Sequence, residues 1–290
     1  MVFGVLLTFA ASPRAQEGVR LASVTWVPAR AEEGTLAEVH LRAESGAVPE
    51  IDSVSGVAAG EPLHFEPDSN RSFWAVVPVP LSAPETLHVT LVLQHGAEPL
   101  GGVIAGLPVE DRREATQALT LPAPFNAPPD SATAARLASE ATLLDSLYRH
   151  AHDVPRLWHD PFLRPVPGRV TAAFGVPRVI DGMSEPPHGG VDLAGPRGSP
   201  VHAANRGIVA LVTPLYESGL TVVLYHGGGL VTIYAHLSLA TVVVGDTIPR
   251  GHVLGLVGST GRATGPHLHW AAHYGALAVD PLSLLTLKRR

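Results

Sequence analysis

From about residue 166 onward the chain is a succession of short apolar runs cut by glycine: "RVTAAFG", "GVDLAG", "PVHAA", "GIVALV", "LTVVLYHG", "LVTIYAHL", "HVLGLVG" and "HLHWAAH". Glycine at such intervals lets strands turn tightly and lets one backbone approach another closely. No apolar pattern of helical period, which would need roughly ten residues or more, comes between the runs. Residues 166–290 are therefore expected to form a glycine-rich, antiparallel β domain.

A second β texture precedes it. "VRLASVTWVPA", "LAEVHLRAE", "SFWAVVPVPL" and "LHVTLVLQHG" alternate or run apolar between Gly, Pro, Asp and Ser. This predicts an antiparallel β-sandwich of immunoglobulin-like kind over 17–110, with Pro78 and Pro80 marking an edge strand or a bulge. His40, His64, His88 and His95 are scattered through it without ligand spacing. Residues 111–165 read as a proline-rich linker around one helix. In "SATAARLASEATLLDSLYRH" the residues Leu137, Ala141, Leu144 and Tyr148 recur at helical spacing, and Asp130 or Ser131 is placed to cap the N-terminus.

Composition removes several classes of chemistry. The net charge is −6, so no basic surface calls for nucleic acid. One lysine, Lys288, stands near the C-terminus, which leaves no internal lysine to act as a nucleophile or to carry a prosthetic group. Cysteine is absent, so disulfides, thiol nucleophiles and thiolate metal sites are excluded, and any metal must be held by His and carboxylate. The opening "VFGVLLTFAA" is too short to span a bilayer and has the length of a signal-peptide core. Residues 1–16 are accordingly expected to be a signal peptide, although the basic stretch that usually precedes such a core is missing, and a buried first strand is the alternative. Export to the periplasm, cell envelope or exterior is the expected localisation.

The histidines of the second half carry the chemistry. In "TGPHLHWAAH" a helix would put His269 and His273 on one face, as in H-E-x-x-H zinc sites, but Trp270 stands where that motif has its general base. A strand would put His267 and His269 side by side on one pleated face. Upstream, "HGGVDLAG" sets His188 and Asp192 an even number of residues apart, hence on one face of an extended segment, with two glycines between them. A neutral imidazole and an anionic oxygen are good zinc donors. "YAHLS" adds His236 near the end of an apolar run.

Taken together these pieces resemble the lysostaphin/LytM-type zinc endopeptidases, which cut the peptides of peptidoglycan. The resemblance covers residues 168–282 and rests, in order, on "FG" (174–175), "HGGVD" (188–192), "GSPVHAANRGIV" (198–209), "HGGGLVTIYAHLS" (226–238), "VGD" (244–246), "GLVGSTG" (255–261) and "GPHLHW" (265–270). It implies one Zn2+ per chain, with His188, Asp192 and His269 as ligands and water in the fourth position. It also implies that His236 and His267 are catalytic residues that do not bind the metal. The implied function is a secreted metalloendopeptidase acting on stem or cross-bridge peptides, with no membrane span in the mature chain. The alternative is a non-catalytic domain of the same fold that binds the wall and activates other hydrolases; degenerate relatives of that kind lack ligands, whereas all five positions are filled here. Relatives often have Phe or Tyr and then Glu or Gln after the last ligand, where this chain has Trp270 and Ala271. The alanine removes a possible hydrogen-bond acceptor behind the ligands. His202, His226, His252 and His273 match no functional position, and His273 is the one that would share a strand face with the site.

Overall fold

A computed structural model describes residues 6–7, 22–44, 50–68, 71–120, 125, 128–180 and 182–287. The fold is mainly β, and the chain divides into two compact units, Met1–Arg112 and Arg113–Arg290.

The first unit holds two sheets. One runs Ala22–Val27, Leu36–Ala43, Ser72–Pro78, Glu66–Pro67, all antiparallel. The other centres on Glu98–Glu110, Thr86–His95 and Ser53–Ala58. Along Thr86–His95 the period of two is plain, with Leu87, Val89, Leu91 and Leu93 buried while Thr86, His88 and Thr90 face solvent. Pro78 corrects the expectation of an edge strand, since Ser72–Pro78 lies inside its sheet. The neighbour on one side, however, reaches only Phe73 and Trp74. Pro78 therefore sits at the strand's end, beyond that short partner, where its missing N–H costs no ladder bond there. Of the expected signal segment only Leu6–Leu7 is described; it pairs with Gly102 and Val103, and the rest lies outside the described residues.

In the second unit β1 (Gln117–Leu119) is followed by α1 (Ser131–His150). Asp130 caps the helix, its side chain accepting from Thr133 N at 2.8 Å and satisfying one of the unpaired N–H groups of the first turn. Its inward face carries Leu137, Leu144, Leu147 and Tyr148. Ala141, expected on that face, is exposed, and Glu140 turns inward instead to accept from Tyr216 N at 2.9 Å.

The main sheet follows: β2 (Val170–Ala172), β5 (Val191–Ala194), β10 (His267–Tyr274), β8 (Leu230–Ala240), β7 (Gly219–Gly227) and β6 (Gly207–Leu215) lie side by side in that spatial order. A separate ribbon joins β1 to the hairpin β3 (Arg178–Ile180) and β4 (Met183–Glu185). Past the middle of β8, its pairing passes from β10 to β9 (Val253–Val257).

The two faces of β10 have different fates. Leu268, Trp270, Ala272 and Tyr274 point into a closed core and are fully buried. On the opposite face, Ala271 packs with Val223, Tyr225, Val231, Ile233 and Ala151, against which Leu147 and Tyr148 of α1 lie. The end of α1 thus covers the 271–273 half of this face and leaves the 267–269 half as the wall of a cleft. Ala271 thus belongs to a packed apolar cluster.

Candidate metal centre and active site

Residues 267–274 are a strand, which settles the choice that their histidine spacing left open. Register then assembles the site. Asp192 lies directly opposite His269, and Ala194 opposite His267, across the antiparallel β5–β10 pair. His188 reaches the same point from the turn before β5. Its backbone exchanges hydrogen bonds with Gly175 and Val176, which is how "FG" takes part. Gly190 is required between His188 and Asp192, because a Cβ there would stand 2.6 Å from the Trp270 carbonyl oxygen and 2.9 Å from His269 Cε1.

Three donor atoms converge. His269 Nδ1 is 2.9 Å from Asp192 Oδ1 and 3.0 Å from His188 Nε2, and His188 Nε2 is 3.1 Å from Asp192 Oδ1. Ligands about 2.0–2.1 Å from a tetrahedral zinc stand about 3.3 Å apart, so this triangle, opened by a few tenths of an ångström, has the size of one face of such a site. Among the described residues, His188, Asp192 and His269 are the group with the make-up and spacing of a metal site. Burial disfavours ionisation of Asp192, but its polar contacts with His188 and His269 and the fields of both rings outweigh it and hold the carboxyl far below the usual carboxylate range. An anionic oxygen facing two imidazoles is a donor set that suits a divalent ion.

His236 and His267 complete the cluster. Their rings lie 4.8 Å apart, and His236 is 5.9 Å from His269. His236 sits where β8 changes partners, between Ala235, opposite His269, and Leu237, opposite Val257. Its φ is +59°, a left-handed conformation that costs a non-glycine residue about 1–2 kcal/mol. The kink turns the ring into the cleft instead of along the strand. Gly258 accommodates it, since a Cβ there would be 2.4 Å from Ser238 N and 2.7 Å from His236 O.

Backbone carbonyls fix three of the rings. His188 Nδ1 donates to Ala173 O, His236 Nδ1 to Thr260 O and His267 Nδ1 to Gly265 O, each at 2.8 Å. With the proton on Nδ1, each Nε2 keeps its lone pair. In His188 that lone pair belongs to the donor triangle; His267 Nε2 lies 3.7 Å from Asp192 Oδ1, outside the triangle. Burial, with repulsion from His269 and His267, lowers the His236 pKa to about 3, so the ring is neutral near pH 7. Burial likewise lowers the pKa of His269, against the pull of Asp192.

All five residues read from the sequence are thus brought together, and the other histidines are not. His273 stacks on Tyr148 with centroids 3.9 Å apart, under α1. His226 is fully buried and binds Arg206 O and Thr232 Oγ1, both at 2.7 Å. His202 binds Gly251 O. Sequence reasoning missed Arg178, whose Nη2 donates to Asp192 Oδ2 at 3.0 Å. It lies in a short hairpin with no motif around it.

Comparison with known proteins agrees with this geometry. Residues 186–281, which include all five residues, match the family model of Peptidase family M23. The DD-carboxypeptidase/endopeptidase Mpg of Neisseria meningitidis is 41% identical over 97 residues, covering 33% of this chain and 22% of the relative. The peptidoglycan DD-endopeptidase ShyA of Vibrio cholerae is 44% identical over 84 residues, covering 29% and 20%. The chain therefore spans about a fifth of the length of these curated relatives. A solved structure assigned to peptidase M23 from Pseudomonas aeruginosa superposes with a TM-score of 0.65 at 26% identity, over 87% of this chain and 93% of that one. The donor triangle and both flanking imidazoles all lie within residues 186–281, the segment that is similar to peptidase family M23.

Proposed function

We propose that this protein is a zinc endopeptidase that hydrolyses peptide bonds in the stem or cross-bridge peptides of peptidoglycan. The observation that carries the reading is a triangle of two imidazole nitrogens and one carboxylate oxygen beside two further imidazoles with free Nε2 lone pairs. Two N donors and one O donor with no thiolate make a three-residue set that suits zinc in a catalytic role. His188, Asp192 and His269 would hold it, one ion per chain. Zinc held there would supply Lewis acidity toward a peptide carbonyl and toward water.

The chain's own groups do the rest. His236 and His267 present acceptor nitrogens; one of the two takes the proton that the attacking water gives up and, so charged, passes it to the departing amine. Their Nδ1–H bonds to Thr260 O and Gly265 O keep the rings aimed throughout. Among the described residues, the carboxylate at the donor triangle is Asp192, held as an anion, whereas glycoside hydrolysis needs two carboxyl groups, one of them protonated. Amide hydrolysis is therefore the fitting chemistry. The names of the relatives, DD-carboxypeptidase/endopeptidase and peptidoglycan DD-endopeptidase, support the substrate class. Since peptidoglycan lies outside the cytoplasmic membrane, the protein would act after export; among the described residues no helix is long and apolar enough to cross a membrane.

Separating the two kinds of histidine tests the proposal. His236→Ala and His267→Ala should each retain stoichiometric zinc and lose about 100-fold or more in turnover. An Asp192→Ala, His269→Ala double variant should lose the metal. Zinc loss from either of the first two variants, or full zinc in the double variant, would overturn the assignment of roles.

A further inference from the structure

The donor triangle uses only one oxygen of Asp192. Oδ1 faces His188 and His269, whereas Oδ2 is turned away and accepts from Arg178 Nη2 at 3.0 Å. We propose that Arg178 is a positioning residue whose guanidinium holds Oδ2 off the metal, so that Asp192 binds through Oδ1 alone and the fourth side of the ion stays open. This rests on the zinc reading above and deepens it.

The Arg178 side chain is only 19% exposed, and its Nη2 is directed at the Asp192 carboxylate. The backbone that carries it is held on both sides. Arg178 pairs with Gln117 of β1 across a parallel ladder and with Glu185 of β4 across an antiparallel one. Glu185 in turn accepts from Arg262 Nη2 at 3.0 Å, while Arg262 Nη1 donates to Glu217 at 2.8 Å. The hairpin is thereby tied at its base to the metal carboxylate and to the 260–265 loop that anchors His236 and His267. Gln117, Arg178, Asp192 and His267 line one cavity of about 250 Å3.

The chemistry explains why such a residue is needed. A free carboxylate can offer a divalent cation either one oxygen or both. A second oxygen would take up the position that water or a substrate carbonyl must occupy. The planar guanidinium fork matches a carboxylate oxygen better than the point charge of a lysine, and partners behind a ligand set its orientation.

Cobalt(II) in place of zinc reports coordination directly, because four-coordinate sites absorb several-fold more strongly in the visible than five-coordinate ones. The wild-type chain, Arg178→Met, Arg178→Gln and Arg178→Lys would be loaded with cobalt and compared by absorption, chelator competition and near-ultraviolet circular dichroism. The wild type should show the intense four-coordinate spectrum. The Met and Gln variants should bind one equivalent with visible absorption reduced several-fold, and Lys should restore part of the lost intensity. With zinc, kcat on a peptidoglycan peptide should fall about 10-fold or more in the Met and Gln variants while KM stays within about twofold. An unchanged cobalt spectrum in folded Met and Gln variants would overturn the proposal, and so would loss of the metal from both. A wild-type chain that binds cobalt in the four-coordinate form but cuts no peptide would defeat the peptidase reading and leave this one standing.

Discussion

Lowering the pH should destabilise the second unit through a histidine that takes no part in the site. His226 is buried with no exposure, its Nδ1 at 2.7 Å from Arg206 O and its Nε2 at 2.7 Å from Thr232 Oγ1. Thr232 continues to the Tyr234 hydroxyl at 3.0 Å, and that hydroxyl accepts from Ala204 N at 2.8 Å. Burial lowers the His226 pKa from 6.5 to about 4, against the opposing pull of Arg206 O. The unfolded chain therefore takes up a proton near pH 6.5, while the folded chain resists until about pH 4. Stability from this group is complete above the unfolded value and is lost as the pH falls between the two. At 1.36 kcal/mol per pKa unit, the full loss is about 3 kcal/mol, a sizeable share of a domain's 5–15 kcal/mol. His226→Gln can keep one bond to Arg206 O and one to Thr232 but cannot titrate. Hydrogen exchange of the amides of residues 220–235, with chelator present in every sample so that metal release adds nothing, measures the unfolding free energy of the core in both proteins. From pH 7 to pH 4 the wild type should lose about 3 kcal/mol more than the variant. Parallel pH profiles would refute the reasoning, because the proton would then enter the folded network at no cost.

Two further outcomes follow from packing. Gly190→Ala places a methyl group against the Trp270 carbonyl and the His269 ring, and should weaken zinc binding about 10-fold or more while costing about 1–3 kcal/mol; zinc titration with unchanged affinity would contradict the crowding. A fragment of residues 113–290 should unfold at a higher temperature than one of residues 166–290, which exposes the cluster around Val231, Ile233 and Ala271 by removing α1; equal midpoints in thermal denaturation would show that the helix contributes nothing to that core.

What was legible in the sequence divides along a physical line. Period-two alternation and glycine punctuation exposed the strands, because both are local consequences of the pleat and of backbone crowding. The even spacings His188/Asp192 and His267/His269 were readable for the same reason: on strands, an even separation means a shared face. The site itself depends on register, and Asp192 meeting His269 across β5–β10 is a non-local fact that spacing alone does not encode. The resemblance to a known family supplied it. Arg178 was invisible because a hairpin of three-residue strands leaves no periodic signal and its partner lies 14 residues away. Ala141 was misplaced by the helical count because Glu140, a polar residue, found a backbone N–H to satisfy and took the inward position. Ala271 departs from the pattern of the resembling family, and the structure places it in the apolar cluster on which Leu147 and Tyr148 lie.

The central claim, a zinc-dependent cut in a peptide and not in a glycan, is tested most directly by digesting purified peptidoglycan with the zinc-loaded protein. New amino groups and new reducing sugar ends would be counted as the material dissolves. The account predicts amino groups rising in step with solubilisation, no increase in reducing ends, and neither change after chelation. Reducing ends without new amines would contradict it.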